Sequence, residues 1–258
     1  MVEVRVPTLS PPGDFVRLAP PWRSAYFLDV DGTLLDIRPR PEDVRADAAL
    51  IALLAALASA CGGALALVSG RAIDDLDRIF APLVLPAAGL HGGEIRFSDG
   101  ERTYASPDAV EDARPLLRVF AAARPGLSLE DKGAALALHY RQRPDLADEV
   151  LAFMETLADG PDLAVQPGKM VAELKHAGHT KATGTAALMA RPPFAGRLAA
   201  FVGDDLTDEA GFKWAEEIGG VSLRIAEAGA PSAARLRIAT PQDFRAELAR
   251  AALKDAPA

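Results

Sequence analysis

The chain has 258 residues, of which 50% are hydrophobic and 25% are charged, and its formal net charge is −8. This composition predicts a globular protein with a sizeable core, and the negative charge argues against a general nucleic-acid-binding protein, which needs a basic surface. Cys61 is the single cysteine, so no intrachain disulfide can form and a reducing, cytoplasmic location is expected.

The N-terminal residues 1–24 contain several prolines and no apolar core, which predicts an irregular arm instead of a secretion signal. Residues 48–70 carry no charge and are long enough to cross a bilayer. However, the sequence CGG at 61–63 divides this stretch into two parts. We therefore predict a helix over 44–60 and a buried strand over 64–68, and no membrane span.

Strands and helices alternate in the rest of the first and last thirds of the chain. Apolar runs that end in turn residues predict further strands, namely AYFLDV after residue 24, LVLPAAG at 83–89, LAAFVG at 198–203 and VSLRI at 221–225. A helix is predicted over 73–80. This alternation predicts an α/β fold with a doubly wound, parallel, Rossmann-like sheet, in which ligands bind at the carboxyl ends of the strands.

The middle of the chain has a different pattern. GLSLEDKGAALALHYR predicts two strands that turn near residues 131–133, PDLADEVLAFMETLADG predicts a helix with proline at its start, and LAVQPGKMVAELK predicts a second hairpin that turns at Pro167 and Gly168. Paired strands beside a helix indicate an α+β insert. We therefore assign 25–106 and 177–258 to the core and 107–176 to the insert.

Two carboxylates, Asp29 and Asp31, stand at the end of the first strand, directly before Gly32. Carboxylates placed together at the end of a buried strand are unfavourable unless a positive charge lies between them. Magnesium fits this position, because it binds oxygen ligands and commonly rests on one or two carboxylates and a substrate phosphate. The competing interpretation is an ordinary acidic turn.

Other polar groups follow the ends of other strands. Ser69 and Gly70 follow the second strand, where a hydroxyl and a backbone N–H can hold phosphate oxygens, although Ser-Gly is also a common turn. Lys181 stands at the start of a predicted helix. A later strand ends in three acids, which taken alone fit a capped helix start: Asp204, Asp205 and Asp208. Their common order at one sheet edge favours a phosphate-processing site.

This order resembles the haloacid dehalogenase-like phosphatases, whose pattern is D-x-D-G-T, then Ser or Thr, then Lys, then paired acids. Within them the chain resembles the trehalose-6-phosphate phosphatases, from about Ala25 to near the C-terminus. The resemblance rests on FLDVDGTLLDIRPRP, GALALVSGR, AGLHGGE, LEDKGAALALHYR, GKMVAELK and FVGDDLTDEAGF. Members often carry glycine directly after the motif lysine, whereas Ala182 and Thr183 follow here, so Lys175 is the alternative lysine.

The resemblance implies a role for each of these residues. Asp29 would be the nucleophile that forms an aspartyl-phosphate, and Asp31 would be the general acid and then the general base. Ser69, Gly70 and Lys181 would bind the phosphoryl oxygens. Magnesium would be bound by Asp29, the backbone carbonyl of Asp31 and Asp204, while Asp205 and Asp208 would orient the lysine and the metal-bound waters.

The insert would then be a cap that recognises the sugar. By resemblance, the residues that would contact sugar hydroxyls are Glu130, Lys132, Arg141 and Glu173; without it, they are surface charges on hairpins. The expected substrate is the small molecule trehalose 6-phosphate, with functional coupling to the synthase that makes it and no nucleic-acid or membrane partner. The alternatives are another capped sugar phosphatase, acting on sucrose phosphate or a phosphorylated glycerate glycoside, and a non-catalytic sugar-phosphate sensor.

Overall fold

The structure is a computed structural model that describes residues 6–37, 43–168, 170–227 and 229–252. The chain divides into two compact units, a core unit of Met1–Thr103 and Thr180–Ala258 and an insert unit of Tyr104–His179. The insert expected over residues 107–176 lies within the second unit.

The elements follow one another in this order. The first part of the chain contains α1 (Asp14–Leu18), β1 (Ser24–Leu28), α2 (Ala48–Ala60), β2 (Leu65–Val68), α3 (Ile73–Phe80), β3 (Ala87–Gly89), β4 (Glu94–Arg96) and β5 (Arg102–Tyr104). The insert unit contains α4 (Asp108–Glu111), α5 (Ala113–Ala122), β6 (Ser128–Asp131), β7 (Ala135–His139), α6 (Ala147–Leu157), β8 (Leu163–Gly168) and β9 (Val171–His176). The last part contains α7 (Lys181–Met189), β10 (Leu198–Gly203), α8 (Glu209–Glu217), β11 (Val221–Ile225), β12 (Leu236–Ile238) and α9 (Pro241–Ala252).

The core unit is built around a sheet with the strand order β12-β11-β10-β1-β2-β3-β4-β5. The neighbouring strands β12, β11, β10, β1, β2 and β3 run parallel to one another. Strand β4 pairs with β3 in the antiparallel direction. The predicted doubly wound parallel sheet is therefore confirmed. Because β1 pairs with both β2 and β10, the carboxyl ends of these three strands lie at the same edge, and that edge carries the site.

Strand β1 is apolar from Ala25 to Leu28, as expected for a strand with both faces covered. All five of its residues are buried, and Phe27 stacks on Phe194 with ring centroids 5.4 Å apart. Each fully buried aromatic or aliphatic side chain of this kind contributes about 1.5–3 kcal/mol to the free energy of unfolding. A charged residue within β1 would lose this contribution, so the carboxylates appear only after Leu28.

The uncharged segment at 48–70 forms a helix, a turn and a strand, as predicted. Helix α2 buries Leu50, Leu54 and Leu57 on one face. It begins four residues later than the predicted start at residue 44, because the side chain of Asp47 accepts a hydrogen bond of 2.7 Å from the N–H of Leu50 and caps the helix. Within the described ranges, no helix has the length and hydrophobicity that a bilayer span requires.

The N-terminal arm is more ordered than predicted. Residues 1–5 lie outside the described part of the chain, but Asp14–Leu18 forms the short helix α1. Phe15 from this helix is 1% exposed and packs edge-on against Tyr26 and Phe244. A five-residue helix with two buried side chains is too short for hydrophobic periodicity to predict it from the sequence.

The insert unit has a four-stranded antiparallel sheet in the order β6-β7-β9-β8. Its own apolar core contains Leu117, Leu136 and Val150 from three different elements. The second hairpin turns later than predicted, since Pro167 and Gly168 pair with Ala172 and Val171 instead of forming the turn. Proline is tolerated there because β8 is an edge strand. It pairs with β9 on one side only, so an N–H that is missing on the other side costs no hydrogen bond between strands.

Candidate active site

Asp29 follows β1 and is nearly enclosed by protein. Its side chain is 5% exposed, and its Oδ1 accepts a hydrogen bond of 2.7 Å from Nζ of Lys181. Its second oxygen, Oδ2, is buried and has no hydrogen-bond partner among the described residues. A buried carboxylate oxygen without a donor is costly, so this atom indicates that a positive or hydrogen-bonding group belongs beside it.

Asp208 holds Lys181 from the other side. Its Oδ1 accepts a second hydrogen bond of 2.7 Å from the Lys181 ammonium, and its Oδ2 accepts from the backbone N–H groups of Asp204 and Asp205, both at 3.1 Å. Asp208 itself is completely buried. Both oxygens of Asp208 therefore already accept hydrogen bonds. The contact with Lys181 suits the predicted role of orienting the lysine, and the predicted role toward metal-bound waters stays a prediction.

Two glycines allow the acidic side chains to come this close. Gly32 has φ of +92°, and a β-carbon on it would overlap the carboxylate of Asp204. A β-carbon on Gly203 would overlap the side chain of Asp208. The turn after β1 therefore needs glycine for its backbone conformation and for space, whereas Gly203 is needed for space.

The charges of this cluster shift the pKa values of its members in predictable directions. Burial raises the pKa of Asp29 well above its usual range, with further increases from Asp208 and Asp204, and only Lys181 opposes the shift. For Lys181, burial lowers the pKa, but the carboxylates of Asp208 and Asp29 outweigh burial and the net shift is upward. The lysine is therefore held as a cation, and one lysine does not fully compensate the carboxylates around it.

The three acidic side chains of this cluster are suitable ligands for a divalent cation. Asp29, Asp204 and Asp208 each offer a carboxylate oxygen, and among the described residues these atoms lie within 4.8 Å of one another. The unpartnered Oδ2 of Asp29 and the partly exposed Asp204 are the better ligands, since both oxygens of Asp208 already accept hydrogen bonds. Hard oxygen donors of this type are those that magnesium prefers.

Asp31 lies in a different environment from this cluster. Its two carboxylate oxygens accept hydrogen bonds from the guanidinium of Arg71, at 2.6 Å from Nε and 2.8 Å from Nη2. Sequence reasoning missed Arg71, although it directly follows the Ser69-Gly70 pair that was selected. Its position after the same strand end was the one feature of the sequence that could have pointed to Arg71. The pairing between residues 31 and 71 cannot be inferred from their spacing in the sequence.

Ser69 and Gly70 directly follow β2 at the same edge. Ser69 is 2% exposed, and its Oγ accepts from the N–H of Arg71 at 3.1 Å. A β-carbon on Gly70 would come within 2.6 Å of Nε2 of His91. The imidazole of His91 thus packs directly against Gly70.

Helix α7 presents Lys181 from its first position. Thr180 caps the helix through a reciprocal pair of hydrogen bonds with Thr183, so the lysine is fixed without the glycine that often follows it in the family. Gly184 on the same helix allows close packing, because a β-carbon there would lie 2.9 Å from the Cα of Gly92. The alternative lysine, Lys175, belongs to the insert unit and donates a hydrogen bond to the carbonyl oxygen of His179.

The four predicted sugar-binding residues all lie in the insert unit. Lys132 donates to Glu173 at 2.7 Å, and Glu173 is 6% exposed. Glu130 contacts the ring nitrogen Nε2 of His139, which lies at the end of β7, at 2.9 Å. Arg141 is exposed just after β7. Asp205 of the core unit is also exposed and caps the short turn that follows β10.

Comparison with known proteins identifies the family. The trehalose-phosphatase family model matches residues 27–241. The chain is 46% identical over 204 residues to the probable trehalose-phosphate phosphatase of Sinorhizobium fredii, covering 78% of this chain and 77% of that protein. It is 41% identical over 215 residues to the trehalose-6-phosphate phosphatase of Escherichia coli, covering 82% of this chain and 81% of that protein.

A solved structure shares the fold. The C-terminal domain of the Candida albicans trehalose-6-phosphate phosphatase superposes with a TM-score of 0.82 at 22% identity, covering 96% of this chain and 99% of that one. At this identity the likeness concerns the fold, and the stronger sequence matches carry the assignment. The chain therefore belongs to the trehalose-phosphatase family.

Proposed function

We propose that the chain is a phosphoric monoester hydrolase that converts trehalose 6-phosphate to trehalose and phosphate. Family membership and two relatives above 40% identity support the reaction class and the substrate. The single observation that carries the mechanism is the state of Asp29, which is buried against Lys181 and keeps one oxygen without a hydrogen-bond donor.

In the first half of the reaction, a carboxylate oxygen of Asp29 attacks phosphorus while the bond from phosphorus to the sugar oxygen breaks. The product on the protein is an aspartyl-phosphate. The sugar oxygen leaves as an alkoxide unless it receives a proton, and Asp31 supplies that proton. The carboxyl group of Asp31 lies beside Arg71, apart from the cluster around Asp29.

In the second half, water attacks phosphorus and Asp31, now a carboxylate, accepts the proton that the water loses. The bond between phosphorus and Asp29 breaks, which restores the Asp29 carboxylate and releases phosphate. Ser69, the backbone N–H of Gly70 and Lys181 bind the phosphoryl oxygens and stabilise the negative charge that spreads over them during transfer.

Magnesium would be held by Asp29, the Asp31 backbone carbonyl and Asp204. A bound cation supplies positive charge that offsets the crowded carboxylates and the phosphate. Asp208 keeps Lys181 and the loop after β10 in place through its three hydrogen bonds. Asp205, which caps the turn in the same loop, is assigned to the same supporting task.

The insert unit would act as the cap that selects the sugar. Glu130, Lys132, Arg141 and Glu173 offer charged donors and acceptors for sugar hydroxyls, and such polar pairing discriminates strongly between sugars. The salt bridge between Lys132 and Glu173 supports a prearranged pair of this kind. We also propose functional coupling to the synthase that makes the substrate and a cytoplasmic location, which the resemblance and the single cysteine support.

Phosphate release from a panel of sugar phosphates tests the proposal. With magnesium present, we expect trehalose 6-phosphate to be hydrolysed with a higher kcat/KM than sucrose 6-phosphate or glucose 6-phosphate. Removal of the metal with a chelator should abolish release, and added magnesium should restore it. Preference for another sugar phosphate would contradict the substrate, and binding of trehalose 6-phosphate without any turnover would indicate a sensor.

A further inference from the structure

The backbone that carries Arg71 is fixed on several sides. The carbonyl oxygen of Ser69 accepts from the N–H of His91, and the carbonyl oxygen of Arg71 accepts from the N–H of Leu90, both at 3.0 Å. A β-carbon on Gly89 would lie 2.8 Å from the Arg71 carbonyl oxygen, so this contact requires glycine at position 89. The loop after β2 is therefore tied to the end of β3, and the base of the Arg71 side chain has a defined position.

The helix that follows Arg71 is fixed as well. The N–H of Ile73, at the start of α3, donates to Oε2 of Glu94 at 2.9 Å. A carboxylate at a helix N-terminus satisfies an otherwise free N–H and interacts favourably with the helix dipole. Arg71 thus projects from a short segment that is held both before and after it.

From this position the guanidinium binds the carboxylate of Asp31 through two parallel hydrogen bonds. The side chain of Arg71 is 14% exposed and that of Asp31 is 32% exposed, so the pair is partly shielded from water. A bidentate pair fixes the plane of the carboxylate as well as its distance, which a single hydrogen bond does not do.

We propose that Arg71 is a positioning residue that orients the Asp31 carboxyl group, which is protonated at the start of the reaction, for proton transfer to the leaving sugar oxygen. This inference rests on the proposed function, because it assigns Asp31 as the acid of that reaction. Arg71 acts through Asp31 and makes no bond to the reacting atoms. Its removal should therefore affect substrates in proportion to how much their leaving oxygen needs a proton.

The test compares Arg71→Gln and Arg71→Lys with the parent enzyme on two esters, trehalose 6-phosphate and p-nitrophenyl phosphate. The rate of leaving-group release in the first turnover isolates the transfer step from later hydrolysis of the phosphoenzyme. We expect Arg71→Gln to lose about tenfold to hundredfold in this rate on the sugar ester, on the scale of a misplaced or absent general acid. The aryl ester, whose oxide leaves without a proton, should change by no more than about threefold on the same argument.

Three comparisons sharpen the result. Arg71→Lys keeps the charge but not the planar fork, so it should lose most of the activity that Arg71→Gln loses on the sugar ester. In the background of Asp31→Asn, Arg71→Gln should cause no additional loss, because the acid that it positions is already gone. Arg78→Gln is the matched control, since Arg78 lies on α3 in an exposed pair with Asp75 and should keep parental rates.

Equal losses on the two esters would overturn the inference, and so would losses that add to those of Asp31→Asn. Either result, obtained with an active parent enzyme, would leave the proposed function intact and assign Arg71 to the phosphoryl group or to the fold. A parent enzyme that releases phosphate from neither ester would instead overturn the proposed function, and this inference with it.

Discussion

Among single residues, Asp29 has the most unusual environment. It is buried, its neighbours include two further carboxylates, and one ammonium group is bonded to it. Such a site is electrostatically unfavourable for a carboxylate at rest, yet it becomes favourable when positive charge enters beside it. This destabilised environment is what the proposed mechanism expects of a group that would react with phosphorus beside a cation.

Replacing Asp29 with asparagine tests the nucleophile. The amide has nearly the same shape but cannot form an acyl phosphate, so we expect phosphate release to fall at least about a thousandfold, the scale seen when a covalent nucleophile is removed. Thermal unfolding should show that the fold is kept. An Asp29→Asn enzyme that released phosphate at a rate near that of the parent would rule out the covalent route.

At the level of elements, the site depends on how closely strand ends and helix starts can approach. Gly203 ends β10 where the side chain of Asp208 passes, and Gly184 on α7 packs against Gly92. The absence of a side chain lets the Asp208 carboxylate lie close to the backbone of Gly203, and lets α7 approach the backbone of Gly92. The spacing of the acidic cluster is therefore set by small residues as much as by the acids themselves.

Gly203→Ala tests this dependence. The added methyl group overlaps Asp208 and should displace it, which moves Lys181 through their shared hydrogen bond. We expect kcat to fall about tenfold to hundredfold, because misplacement of about 1 Å is costly in catalysis. The free energy of unfolding should fall by about 1–3 kcal/mol, the usual cost of overpacking.

Gly211→Ala is the matched control for this prediction. Its methyl group would overlap the ring of Phe201 in the apolar core and touch no carboxylate. It should lower the melting temperature in a similar way while the folded enzyme keeps its kcat. If both variants lost stability and neither lost kcat, the position of Asp208 would not matter for turnover.

Much of this edge of the sheet could be predicted from the sequence. Asp29, Ser69 and Asp204 were found because an apolar run that stops at a polar residue marks the end of a buried strand, and parallel strands end together. The bond between Arg71 and Asp31 was not predictable, since it depends on side-chain directions at two strand ends. The turn of the second hairpin was predicted too early in the chain, because proline usually indicates a turn. Pro167 is compatible with a strand only at the edge of a sheet, and the sequence does not show that β8 is an edge strand.

For the whole molecule, the main prediction to test is that the insert unit selects the substrate. Glu173→Ala and Lys132→Ala should each reduce kcat/KM for trehalose 6-phosphate by about tenfold to a hundredfold, the effect of losing a hydrogen bond to a charged group. A small aryl phosphate offers no sugar hydroxyls, so its hydrolysis should be nearly unchanged. Steady-state kinetics with both substrates measures the difference.

Glu149→Ala provides the control within the same unit, because Glu149 pairs with Arg124 on the surface of the insert unit. It should leave both substrates unaffected. Equal losses of both substrates in Glu173→Ala would point to damage of the fold, and no loss in either would make these residues ordinary surface charges.

The chain order of the sheet has a consequence for how the protein is made. Strand β1 lies between β2 and β10, and β10 follows the whole insert unit in sequence. During synthesis from the N-terminus, β1 therefore keeps one edge open until residues 198–203 have been added, and open edges attract other chains. The insert unit, by contrast, is one continuous segment that can complete its own sheet earlier, so we expect a nascent chain to finish its second unit before its first.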